Sequence, residues 1–313
     1  MTKKIIAFLM IIGLAGILFI HPVFAHTFVK NSDADLIAKI QEFKVESKLI
    51  ASNISDSKTS QWHIAKSQEY WGVNEMNTLS QQNTTLATSL STAINDLYSL
   101  SGNTNADPTT ASQKSDALNQ LLDQVENTEI SNSVQNNATV QSLAIIGVLN
   151  QVLIDYGTAI GSNVDLTNMA NMNMSSMSGM NSGSSMSGMS GMSGMSSTTI
   201  VNEAAYQSAQ GLTTTAQSMF ENMKSMAPSS ASPYLVKIES AFGQLQQSIN
   251  TKQSGDNVMM IVHMQIHPNF ISGLNIPLVP STSAVPEFPM PLLLVMLSFI
   301  SVISIARILP KFR

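Results

Sequence analysis

Through the middle of this chain apolar residues return every three or four positions and do not alternate every second one, which is the period of an α-helix and not of a strand. Leu36, Ile40, Phe43, Ile50 and Ile54 keep one face, behind a Ser32–Asp33 start able to cap a helix. Met76, Leu79, Leu86, Leu90, Ala93, Leu97 and Leu100 form a heptad-like stripe broken only by Asn83. Gly102 to Pro108 is a break, and Leu118, Leu121, Leu122 and Val125 restart the pattern beyond it. Val140 to Ile160 is apolar on nearly all sides, yet Gln151, Asp155 and Gly157 cut its uninterrupted run below the length of a membrane span. That stretch therefore predicts the central helix of a bundle. After a Met/Ser/Gly interval come two further stripes. One is Val201, Ala205, Ser208, Leu212 and Met219; the other runs from Pro233 through Leu235, Ile238, Phe242, Leu245 and Ile249 towards Val262 and Ile266.

The pattern predicts an all-α fold, an up-and-down helical bundle of five or six helices joined by short loops. The chain divides into a signal peptide (1–25), the first part of the bundle (26–163), a Met-rich low-complexity loop (164–199), the second part of the bundle (200–275), a linker (276–289) and a transmembrane segment with a basic tail (290–313). Both ends and the loop stand outside any core, so 313 residues leave room for one globular body. A net charge of -5 with only 11% charged residues offers no basic face for phosphates and excludes nucleic acid as a partner. The absence of cysteine excludes disulfides, thiolate catalysis, thiolate zinc sites and covalent c-type haem.

At the N-terminus Lys3 and Lys4 precede an apolar stretch, Ile5 to Ile20, and Val23-Phe24-Ala25 fits a signal-peptidase cut, so the mature chain is expected to start at His26. At the C-terminus Val285-Pro286-Glu287-Phe288-Pro289 precedes an apolar run from Met290 to Ala306 and then Arg307, Lys311 and Arg313, the order of a membrane stop with a positive cytoplasmic tail. These last residues resemble the PEF-type C-terminal sorting signal of archaeal surface proteins. The resemblance implies recognition by a membrane-embedded sorting transpeptidase; a plain membrane anchor would leave the body on the same, outer side. The triplets Asn53-Ile54-Ser55, Asn83-Thr84-Thr85, Asn137-Ala138-Thr139 and Asn173-Met174-Ser175 suit an exported glycoprotein.

Methionine, at 20 residues, is the compositional outlier. Met169, Met172, Met174, Met177, Met180, Met186, Met189, Met192 and Met195 stand in a background of Ser, Gly and Asn that no packed helix would use, which predicts a disordered loop. Neutral, polarizable thioethers gather around soft Cu(I) without a charge penalty, and M-x-x-M spacing brings sulfurs together in most backbone conformations. The segment is similar to the Met-rich motifs of extracytoplasmic copper-transport and copper-resistance proteins, but it lacks their interspersed His or Asp. His26, once freed at the N-terminus, would pair its amine and imidazole on Cu(II), as in copper chaperones and histidine-brace oxygenases, a resemblance of one residue. His263 and His267 stand four apart on one helical face, with Met260 and Met264 on the same or an adjoining one. They form either a two-ligand metal platform or a half-buried pair on a Met-lined core face. His63, between Trp62 and Ile64, reads as an ordinary boundary residue.

An enzyme is not expected. The pair lacks the Glu of H-E-x-x-H, no second brace histidine can be assigned, and a di-iron bundle would need inward carboxylates with Glu-x-x-His pairs that the sequence does not offer. The sequence thus points to a surface-anchored copper protein that captures or buffers the metal and could pass it to a delivery partner. Its rival is a structural or interaction protein of the cell envelope in which the Met-rich loop is only a spacer.

Overall fold

A computed structural model describes residues 28–103, 105–168 and 198–278. The expected signal segment with His26, the nine methionines from Met169 to Met195, the Pro-Glu-Phe motif and the C-terminal apolar run all lie outside the described residues. What is described is all-helical: α1 (Ser32–Ser52), α2 (Ser57–Tyr70), α3 (Val73–Gln82), α4 (Thr84–Tyr98), α5 (Pro108–Glu129), the single turn α6 (Asn132–Gln135), α7 (Ala138–Ala159), α8 (Glu203–Lys224) and α9 (Ser232–Asn250). A final rod follows, made of α10 (Gly255–Met260), a π-turn (Ile261–Ile266) and α11 (His267–Leu274). All of them belong to one compact unit that ends at Pro277.

Among the described residues there are about ten helices where the stripes suggested five or six, because short polar side chains cut the stripes at caps. Asn83 ends α3 through its backbone N–H on Leu79 O, and starts α4 by accepting from Leu86 N at 3.0 Å. One heptad-like stripe with a polar gap is therefore two helices. The last stripe breaks at Lys252, held at φ 55° between α9 and α10, and Ser254 caps α10 by accepting from Asn257 N. Asp56, Asp107, Asn137 and Asn202 cap α2, α5, α7 and α8 with side-chain oxygens. For α1 the cap is Asn31, which accepts from Asp33 N and Ala34 N, one residue before the start that the sequence suggested.

Two apolar clusters share one helix. Ile37, Ala38 and Val45 of α1 join Ile145, Leu149 and Val152 of α7, Leu212 and Phe220 of α8, Phe242 of α9 and Val262 of the last rod. Ile40, Phe43 and Ile50 of the same α1 join Leu79, Leu90, Leu97, Leu118 and Leu122 from α3, α4 and α5. Helix α1 packs on α2, α5, α7 and α8, so it separates the two clusters and belongs to both. The approach of α8 to α1 is close enough that a Cβ on Gly211 would meet Val45 Cγ1 at 2.7 Å. Among the described residues α7 is the one helix long and apolar enough to cross a membrane, and 56% of that stretch is buried against its neighbours.

Leu149 is fully buried in the first cluster. Leu149→Asp places an unpaired charge there and should cost about 3–5 kcal/mol, a drop in Tm of roughly 10 °C for a body of this size. Thermal unfolding followed by circular dichroism checks this; an unchanged Tm would show that α7 does not carry the core.

Candidate functional site

His263 lies in the π-turn and His267 opens α11, and both side chains are buried, at 7% and 2% exposure. Their rings meet edge to face, with centroids 5.1 Å apart, and Phe28 packs edge-on against His267. His263 Nε2 lies 3.1 Å from Leu166 O, a carbonyl that can only accept, so this nitrogen carries a proton. The structure thus brings the predicted pair together, more deeply buried than the sequence implied. Of the two methionines expected beside the pair, Met260 is half-buried and Met264 is exposed.

The same region holds both described margins of the Met-rich interval. On the entering side Leu166 accepts from His263 and packs on Gly157 and Gly255. On the returning side Thr198 N donates to Lys252 O, and Val201 N and Asn202 N both donate to Ala159 O. The α9–α10 turn and the end of α7 therefore clasp the chain just before and just after that interval.

A second polar locus was not foreseen. Glu42 and Glu46 of α1, His63 and Lys66 of α2, Asp155 of α7 and Ser208 of α8 converge in the interior, where the two apolar clusters meet. His63 is no boundary residue: it is fully buried, its Nδ1 donates to Glu46 Oε2 at 2.7 Å and its Nε2 faces Gln207 Oε1 at 3.3 Å. Both ring nitrogens face side-chain oxygens. Ser208 donates to Glu46 Oε1 at 2.7 Å. Asp155 Oδ1 accepts from Gln151 and lies 3.5 Å from Lys66 Nζ, whereas its Oδ2 and the Tyr70 hydroxyl are buried without a hydrogen bond.

Inward carboxylates therefore do occur, though without the Glu-x-x-His pairs of a di-iron bundle. Among the described residues, however, no three His, Asp or Glu side chains are arranged to hold a metal. The signal for them was faint but present: Glu46 lies three residues after Phe43 and four before Ile50 on the apolar face of α1, and Ser208 sits inside the stripe of α8.

Burial sets the charge state of this locus. Glu42 is pushed up to about 8, first by loss of water and then by Asp155, with Lys66 and Lys39 opposing. Asp155 is pushed up to about 7, again by burial first, with Lys66 holding it down and Glu46 adding to the rise. Burial disfavours the charge on Lys66, but Asp155 and Glu69 outweigh it and raise its pKa. No family model, curated protein or solved structure matches this chain.

A carboxyl with a raised pKa binds its proton more tightly in the folded chain than in the unfolded one, so folding stability falls with rising pH between the two values. For Glu42 that window runs from 4.5 to about 8, and for Asp155 from 3.8 to about 7. The Tm should therefore drop by roughly 5–10 °C from pH 5 to pH 8.5, the reverse of ordinary acid unfolding. Glu42→Gln, neutral at every pH, should remove most of that slope. Calorimetry across the interval decides, and a Tm that is flat or rises would refute this account of the locus.

Proposed function

We propose that the chain is a surface-anchored copper-binding protein that captures or buffers Cu(I) through the thioethers of its Met-rich segment and does no chemistry on a substrate. In this reading residues 1–25 export it, residues 290–313 hold it in the membrane by a PEF-type signal open to a sorting transpeptidase, and the helices form an up-and-down bundle on the outer face. The observation that carries the reading is the segment Met169 to Met195, nine methionines in 27 residues with only Ala170 as a further apolar side chain. Such a composition cannot pack a core, yet it offers soft ligands at every turn of the chain. Support comes from the clasps at its margins, which hold Leu166 before it and Thr198 after it in the region of the histidine pair. In this reading the two histidines serve Cu(II), because imidazole suits the divalent ion and thioether does not.

In intact cells, protease added outside should digest the helical body, and the mature N-terminus should read His26; a protected body beginning at Met1 would refute export. Under reducing conditions the chain without its C-terminal run should compete for Cu(I) against a chelator. Deleting residues 168–197 should remove most of that capacity and leave helical circular dichroism nearly unchanged, since every described helix lies outside the deletion. Replacing His263 and His267 by Ala should instead weaken Cu(II) binding. Cu(I) binding no stronger than that of a Ser/Gly replacement of the segment would overturn the copper reading in favour of an envelope stalk.

A further inference from the structure

Three of the four Asn-x-Ser/Thr triplets fall among the described residues, and the structure treats their asparagines differently. We infer that Asn83 and Asn137 are N-glycan acceptors of this chain and that Asn53 is not. The inference rests on the export proposed above. In the transfer a lipid-linked phosphate or pyrophosphate saccharide is the donor. The amide Nδ2 forms a bond to the anomeric carbon and gives up one proton, and the bond from that carbon to the phosphate oxygen breaks, so the lipid phosphate leaves with the electron pair. The product keeps Oδ1 as an acceptor and one N–H. An acceptor asparagine therefore needs an Nδ2 that the fold does not use and room for a sugar beside it.

Asn137 meets both needs. It is exposed, and its Oδ1 caps α7 by accepting from Thr139 N at 2.9 Å and Val140 N at 3.2 Å, while no described hydrogen bond uses its Nδ2. Because the amide is planar, turning Oδ1 onto the helix end turns Nδ2 away from it. Asn83 is half-buried but shares the cap, with Oδ1 on Leu86 N and Nδ2 in no described hydrogen bond. It also borders a cavity of about 480 Å³ between α4 and α5, lined by hydroxyl and amide groups of Thr85, Ser89, Gln124 and Thr128 over Leu86 and Leu121. A lining that mixes polar and apolar side chains suits the polar edge and apolar face of a pyranose, so the first sugar on Asn83 has a place to rest.

Asn53 differs at the atom that matters. Its Nδ2 donates to Leu49 O at 2.9 Å and to Gln207 Oε1 at 2.8 Å, which joins the end of α1 to α8, and Gln207 in turn faces His63. Both amide hydrogens are committed. A saccharide there would remove one of them and need its volume in the α1–α8 seam, where Gly211 already allows no added carbon.

The test uses the full chain isolated from the envelope of its own cells, with intact mass and glycopeptide analysis. Thr85→Ala, Thr139→Ala and Ser55→Ala each destroy one triplet and leave the asparagine and its cap in place. The first two should each lose the mass of one glycan, and Ser55→Ala should lose none. Loss of a glycan in Ser55→Ala, or no loss in either threonine variant, overturns the assignment. A chain that external protease reaches but that carries no sugar at either site overturns it while leaving export standing. A chain protected from that protease shows instead that export has failed, and the assignment falls with it.

Discussion

The fold depends on α1 being buried on two sides. Most helices in a small body show water one broad face and can keep their polar residues there. Helix α1 gives Ile37, Ala38 and Val45 to one apolar cluster and Ile40, Phe43 and Ile50 to the other, so its polar residues fall along the seam between them. Ser47 is accommodated by Lys44 O, Ser115 and Asn119. Glu46 is accommodated by His63 and Ser208, but Glu42 has only distant cations and holds its proton instead. A buried carboxylate without good partners is expensive, and neutralisation is the cheaper answer. Helices α2, α5 and α8 are tied to α1 through these groups as well as through apolar contact, which links the two clusters into one body.

What the sequence made legible follows from which forces are local. The stripes of α1, α4, α7, α8 and α9 were readable because burial repeats with the helical period, and Leu149, Leu90 and Phe242 are all fully buried. Asn83 was visible as a gap but not as a boundary, because one polar residue in a stripe can be either a tolerated exception or a cap. The polar seam was harder to see. Glu46 meets His63 across 17 residues and Ser208 across 162, and no spacing rule reaches that far. Asp155 did register, as an interruption of the apolar run, but a single sequence gives no sign that Lys66 stands beside it.

The histidine pair shows the same limit from the other side. Their spacing of four correctly places His263 and His267 in contact, but spacing says nothing about what the ring nitrogens meet. Leu166, almost a hundred residues earlier in the chain, takes one of them. That contact makes the pair part of the clasp around the Met-rich interval, so whatever role the histidines have is shared with holding the chain's entry point.

The clasps also bear on how this chain can change over generations. Lys252 and Gly255, which hold the returning and entering strands of chain, are three residues apart, so the interval between them leaves and re-enters the body at neighbouring points. Closing a loop between fixed neighbours costs only slowly more as the loop lengthens. Ser-Gly-Met triplets can then be gained or lost by copying error with almost no penalty to the helices, each step changing the number of thioethers by one. The count of thioethers is in that sense inherited separately from the fold, and it can change while the body that carries it stays the same.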